Sequence, residues 1–164
     1  MKPELLFFRY AFPCTRTIVD RGDIDQETYS KLEELAKQGR APGFDELENT
    51  YKNAFKIMKK LYGDKHKNGK SIEKYWREGD HNKEIDEHPD YKDKTEEFKK
   101  LCKIRQVKVA GRAPYFKETL NWLVVKESEN SDEQIAWNPY NLELKKGETV
   151  NIHHNIIIEK VTSI

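Results

Sequence analysis

The chain has few cysteines, almost no net charge and no long apolar segment, and each shortage excludes a class of protein. Two cysteines in 164 residues cannot form a disulfide framework, so we expect free thiols in a cytoplasmic protein. The 30 basic side chains are balanced by 29 acidic ones, whereas a phosphate-binding surface needs a basic excess, so we expect no nucleic-acid partner. No apolar run approaches the roughly 20 residues of a membrane span, so we expect no membrane partner.

The residues that are present favour a folded and heavily solvated protein. Charged residues make up 36% of the chain and apolar residues another 36%, with 11% aromatic. A Ser-His-Asp order, a glycine-rich phosphate loop and paired catalytic carboxylates are all missing from the sequence. We therefore expect no enzymatic activity.

Apolar residues spaced three and four apart predict helices in the first hundred residues. Asp25 is placed to cap the first of them, and Asp45 and Glu48 have the spacing of a capping box at the start of the second. The predicted helices run from Asp25 to Gly39, from Asp45 to Gly63, from Ser71 to Gly79, and from Pro89 to about residue 103.

Beyond about residue 103 apolar residues alternate instead, which indicates short β-strands. The predicted strands cover 104–109, 115–125, 135–137 and 142–144, followed by two final strands after a tight hairpin turn at Lys146-Gly147. The predicted fold class is α+β: a helical domain of unknown role over residues 1–100, then a small antiparallel OB-like β-barrel over residues 101–164.

Cys102 and His153 are the residues that we expect to bind a metal ion. A thiolate and an imidazole suit iron or zinc, and two protein ligands leave positions for exogenous groups. The alternative is that Cys102 is a small buried apolar residue on its helix. Adjacent strand residues point to opposite faces, so one of His153 and His154 is expected to face the barrel and the other the solvent.

Two further groups of residues have both a functional and a plain interpretation. On a helix, His81, Glu84 and His88 share a face that could hold a divalent cation, but a polar loop with incidental histidines explains them as well. Cys14 lies close to Arg16, and a nearby cation lowers a thiol pKa. An ordinary cysteine in a turn is the alternative for Cys14.

Two segments of the last third resemble the hydrogenase assembly chaperones of the HypC/HupF family. That family begins with a Met-Cys-x-x-Ile-x-x-Lys-Val signature and ends with a Gly-Asp-Tyr-Val-x-Val-His-like strand pair. In this chain the cysteine follows about a hundred other residues instead of the initiator methionine. The residues on or beside the two signatures are Cys102, Ile104 or Arg105, Lys108 and Val109, and then Gly147, Glu148, Val150, Ile152, His153, Ile158 and Lys160.

The resemblance implies a role in the maturation of nickel–iron hydrogenases. It implies that Cys102 and His153 bind or hand over an iron centre, with iron held transiently. The implied partner is another hydrogenase maturation protein or the precursor of the hydrogenase large subunit.

Two other functions fit the sequence. One is a protein–protein adaptor without catalytic activity, in which the cysteine is structural. The other is an OB domain for single-stranded nucleic acid with Trp122, Trp137 and Tyr140 as stacking platforms, which the charge balance disfavours.

Overall fold

A computed structural model describes residues 1–113 and 121–162 of the chain, so the predicted strand residues Tyr115, Phe116 and Leu120 lie outside the described part. The α-helices are α1 (Pro3–Ala11), α2 (Thr15–Asp20), α3 (Gln26–Lys37), α4 (Phe44–Thr50), α5 (Lys52–Tyr62), α6 (Gly69–Trp76), α7 (Asp80–Glu87) and α8 (Glu96–Cys102). The strands are β1 (Arg105–Arg112), β2 (Trp122–Lys126), β3 (Gln134–Trp137), β4 (Thr149–His153) and β5 (Ile156–Lys160).

Helix α1 lies at the centre of the helical part because it is apolar on nearly every side. Its buried residues are Leu6, Phe7, Phe8, Tyr10 and Ala11. A helix that is hydrophobic all round has to be covered by other elements, and α4 and α6 pack against this one.

The segment predicted as one helix from Asp45 to Gly63 is two helices. Tyr51 interrupts it with φ −105° and ψ 48°, and its hydroxyl makes a 2.7 Å hydrogen bond with the buried Thr15 hydroxyl. Gly43, not Asp45, precedes the first helix as its N-cap. By contrast, the Asp25 cap is confirmed, because its carboxylate accepts from the Thr28 amide at 2.8 Å.

The strands form a closed barrel in the order β1-β2-β3-β5-β4, with β1 also paired to β4. This confirms the α+β class and a small five-stranded barrel of the OB kind. The expectation of a purely antiparallel barrel is wrong, because Trp137 of β3 pairs in parallel with Ile156 of β5. The barrel core consists of Val107, Val109, Leu123, Val125, Ala136, Val150, Ile152 and Ile157.

The last hairpin turns at a different place from the predicted one. Lys146-Gly147 is a turn, with Gly147 at φ +90°, but residues 142–145 before it are not a strand. The hairpin β4–β5 turns at His154-Asn155, where both residues have positive φ (47° and 60°). Two positive φ values in a two-residue loop are typical of a type I′ turn, for which asparagine is a favoured residue.

A polar cluster joins the helices to the barrel. Arg77, directly after α6, bonds Glu159 of β5 through Nε at 3.0 Å and Nη2 at 2.7 Å. The Tyr10 hydroxyl of α1 donates to the same carboxylate, and the Asn151 amide of β4 donates to Tyr10 at 3.2 Å. Ile158 of β5 belongs to the apolar core of the helices, so the two parts share one packed interface.

Within residues 1–113 and 121–162, no helix is long and apolar enough to cross a membrane.

Candidate metal centre

Cys14, His153 and His154 come together between the end of α1 and the β4–β5 hairpin. Each can supply one ligand atom, and these atoms all lie within 4.8 Å of one another. The Cys14 sulfur is already 3.4 Å from Nε2 of His153. Zinc-like bonds of about 2.0 to 2.3 Å need ligand atoms about 3.5 Å apart, so a contraction of about 1 Å would complete the set.

The end of α1 positions the thiol because its last carbonyl groups bond to the barrel. Pro13 has no amide hydrogen, so it cannot bond the Arg9 carbonyl four residues earlier. That carbonyl instead accepts from the Tyr140 hydroxyl at 2.8 Å. The next carbonyl, that of Tyr10, accepts from His153 Nδ1 at 2.8 Å. Cys14 follows Pro13 in a short 3₁₀ turn and so lies beside the His153 ring.

The Tyr10 carbonyl also determines the tautomer of His153. A carbonyl oxygen only accepts, so Nδ1 must carry the hydrogen, and Nε2 keeps its lone pair on the side of Cys14. Metal-binding histidines are commonly oriented in this way by a backbone carbonyl. The imidazole is therefore held ready to bind a metal ion.

His154 does not point away from His153 as the strand pattern predicts. It has left the strand conformation for the turn, with φ 47°, and the centroids of the two rings lie 4.9 Å apart. The prediction of opposite faces is wrong because it assumed a regular ladder through both residues. His154 is half-buried and is the third potential ligand.

Burial makes all three groups electrically neutral at pH 7. It raises the pKa of the Cys14 thiol well above its usual range, and it holds the pKa of His153 well below its usual range, with His154 and His81 acting in the same direction. Burial and the nearby Arg105 lower the pKa of His154 to about 4. The imidazoles are thus in the form that binds metals, and the thiol would release its proton on binding.

Cys102, which the sequence pairs with His153, lies close by. The amide of His154 donates to the Leu101 carbonyl at 3.0 Å, and the Cys102 carbonyl accepts from His81 Nε2 at 2.9 Å. Cys102 is buried, and burial raises its pKa to about 11. The Leu101 carbonyl therefore holds the His154 backbone and the Cys102 carbonyl holds the His81 ring, while the sulfur that touches His153 belongs to Cys14.

His81, Glu84 and His88 do lie on or directly after a helix, α7, but their side chains have separate surroundings. Both ring nitrogens of His81 are engaged, since Nε2 donates to Cys102 and Nδ1 lies 3.4 Å from the Tyr75 hydroxyl. His88 ends the helix, and its Nδ1 accepts from the Asp90 amide at 3.2 Å. In the described part of the chain, the group of potential ligands with converging atoms is the one around Cys14.

A cavity of about 760 Å³ opens beside this group. Cys14, His154, His81, His88 and Cys102 all line it, so both cysteines of the chain face one space. Cys14 was expected to be either a thiol with a pKa lowered by Arg16 or an ordinary cysteine in a turn, and neither expectation made it a metal ligand. The available signal was its place directly after the apolar run Leu5–Phe12 and Pro13, where a central buried helix ends.

No family model, curated protein or solved structure matches this chain. The likeness to hydrogenase assembly chaperones therefore depends on the two segments of the last third alone.

Proposed function

We propose that this protein binds a transition-metal ion through Cys14, His153 and His154 and hands it on to another protein. The observation that carries the proposal is the His153 ring, which is oriented by the Tyr10 carbonyl and directs Nε2 at the Cys14 sulfur. One thiolate and two imidazoles suit iron or zinc, and three protein ligands leave a fourth position open.

The direction of the thiol pKa favours metal binding over nucleophilic catalysis. A reactive cysteine next to histidine has a lowered pKa because the thiolate is the nucleophile. Burial raises that of Cys14 instead. A metal ion overcomes this resistance because it displaces the proton directly and neutralises the thiolate charge.

The resemblance of the last third to hydrogenase assembly chaperones makes iron the proposed metal. The proposed partner is a hydrogenase maturation protein or the large-subunit precursor, and the proposed location is the cytoplasm. Cys14 then takes the role at the His153 ring that the resemblance alone assigns to Cys102.

The two cysteines supply a matched test of the metal centre. We expect anaerobically prepared protein to bind one Fe(II) or Co(II) per chain, and the cobalt form to show sulfur-to-metal charge-transfer absorption. Cys14→Ser should abolish this absorption and weaken metal binding by about a hundredfold, whereas Cys102→Ser should keep both. If Cys102→Ser loses the absorption and the metal binding while Cys14→Ser keeps both, the sulfur ligand is Cys102 instead.

The hydrogenase role has a test of its own. When the protein is co-expressed with hydrogenase maturation proteins, we expect infrared bands of iron-bound cyanide or carbon monoxide, which disappear in His153→Ala. If metal binds but these bands are absent, the metal centre stands and the hydrogenase role falls.

An adaptor without metal is the second candidate function, and failure of every metal test would favour it. The nucleic-acid function loses two of its three stacking platforms. Trp137 packs against the helical core, 6.2 Å from the Phe12 ring, and Tyr140 is held by the Arg9 carbonyl and lies under the Arg9 guanidinium.

A further inference from the structure

We infer that the cavity beside the metal centre binds a small planar organic anion. The same anion would also occupy the open position of the metal, and this part of the proposal rests on the proposed function. The cavity measures about 760 Å³. A water molecule takes about 30 Å³, so a hydrated metal ion leaves most of this space unused. Sites for small organic ligands typically measure about 300 to 1,000 Å³.

The cavity walls offer flat aromatic surfaces. The rings of Tyr75, Trp76, Tyr91 and Phe98 line it. Tyr75 and Trp76 are almost completely buried and only support the wall from behind, whereas the half-buried rings of Tyr91 and Phe98 are open to a ligand. Aromatic rings prefer to stack on other planar groups, which favours a planar ligand over a branched aliphatic one.

The charges in the cavity favour a negative ligand. Arg21 and Lys94 both line it, and Arg21 is held by Asp23 at 3.0 Å. Lys94 has no carboxylate within ion-pairing distance in the described part of the chain, and its ammonium lies 5.5 Å from the centre of the Phe98 ring. Lys52 also lines the cavity, so three cationic side chains face the two lining carboxylates, Asp23 and Asp90. Lys94 is therefore available to an incoming carboxylate.

The metal centre shares this space. Cys14 and His154 line the cavity, while His153 is fully buried behind them. The open position of a three-ligand site therefore faces the cavity, and a carboxylate there would complete a tetrahedral set.

Two probes separate the cavity from the metal. Benzoate and pyridine-2-carboxylate are both planar aromatic carboxylates, but only the second can chelate a metal through its ring nitrogen. In titration calorimetry we expect the metal-free protein to bind both with similar affinity. The cobalt-loaded protein should bind pyridine-2-carboxylate about tenfold more tightly than benzoate, because the nitrogen adds a second bond when the metal expands from four to five ligands.

Lys94→Met supplies the variant and Lys92→Met its control. Both residues are exposed lysines of one segment, but Lys92 does not line the cavity. We expect Lys94→Met to weaken both probes about fivefold in the metal-free protein and Lys92→Met to leave them unchanged.

The outcomes distinguish this inference from the proposed function. The anion site is overturned, even if cobalt binds, if neither probe binds the metal-free protein. It is also overturned if Lys94→Met and Lys92→Met bind the probes with equal affinity. If pyridine-2-carboxylate removes cobalt and no complex of protein, cobalt and probe forms, the anion does not occupy the metal's open position. If cobalt does not bind but both probes do, with a loss in Lys94→Met, the anion site stands and the metal centre falls.

Discussion

Single residues at the candidate centre act through the bonds of their backbone. Tyr10 contributes a carbonyl that orients His153, and Cys102 contributes one that orients His81. Pro13 has no amide hydrogen, which leaves the Arg9 carbonyl free to accept from the Tyr140 hydroxyl. A substitution that changes only the side chains of Tyr10 or Cys102 would therefore leave these histidine contacts in place.

Gly147 provides a prediction at this scale. Its φ of +90° is one that other residues resist, and no atom lies within 4 Å of the place where a Cβ would be. The cost of a substitution is therefore conformational only. We expect Gly147→Ala to lower the free energy of unfolding by about 1 to 2 kcal/mol in urea denaturation.

Gly111 in β1 is the matched control. A methyl group added at Gly111 would also meet open space, but the φ of this glycine is not positive. Alanine there should be neutral or stabilise by about 0.5 kcal/mol, because glycine weakens a strand. Equal destabilisation by the two variants would contradict the conformational argument.

At the scale of elements, the β4–β5 hairpin makes its turn from a residue of the site. His154 has φ 47° in the two-residue turn and is also a potential ligand, so one position carries both a folding and a binding requirement. The two requirements can be separated, because asparagine accepts a positive φ readily whereas β-branched valine does not.

We therefore expect His154→Asn and His154→Val to differ in stability but not in metal binding. Both remove the imidazole and should weaken Co(II) binding by about tenfold or more. Only the valine variant should lose stability, by about 1 to 3 kcal/mol, while asparagine stays within about 0.5 kcal/mol of the parent. Thermal unfolding and cobalt titration measure the two effects, and retention of metal binding in His154→Asn would remove His154 from the ligand set.

At the scale of the whole molecule, Glu159 joins the helices to the barrel. Burial by itself raises the pKa of its carboxyl, but hydrogen bonds from Arg77 and Tyr10 outweigh burial and lower it. A carboxyl whose pKa is lower in the folded state stabilises the fold above its unfolded pKa of about 4.3, and this stabilisation is lost as the pH falls through the folded value.

Glu159→Gln should therefore lower the free energy of unfolding by about 2 kcal/mol at pH 7, since it removes charge-assisted hydrogen bonds in a partly buried cluster. The difference from the parent should shrink as the pH falls below about 4. Urea denaturation between pH 3 and 7 measures this dependence. Glu143→Gln, the same change at an exposed position, is the control and should leave the free energy of unfolding unchanged at each pH. If the difference between Glu159→Gln and the parent stays constant with pH, the linkage to the Glu159 carboxyl is contradicted.

Local patterns in the sequence predicted much of the fold. The Asp25 cap and the order of helices before strands follow from spacing and from side-chain chemistry within a few residues, and the number of short strands indicated a small barrel. The break at Tyr51 could not be predicted in this way, because the hydroxyl that bonds it belongs to Thr15.

The candidate site was only partly contained in the sequence. The order of residues was enough to show that two thiols and a histidine pair were available, and that the pair lay near the end of a β unit. The folded chain was needed to show that Cys14, not Cys102, supplies the sulfur that touches His153, since 139 residues separate the two in the chain. Spacing carries information about neighbours along one element, whereas this contact depends on how a buried helix ends against a barrel hairpin.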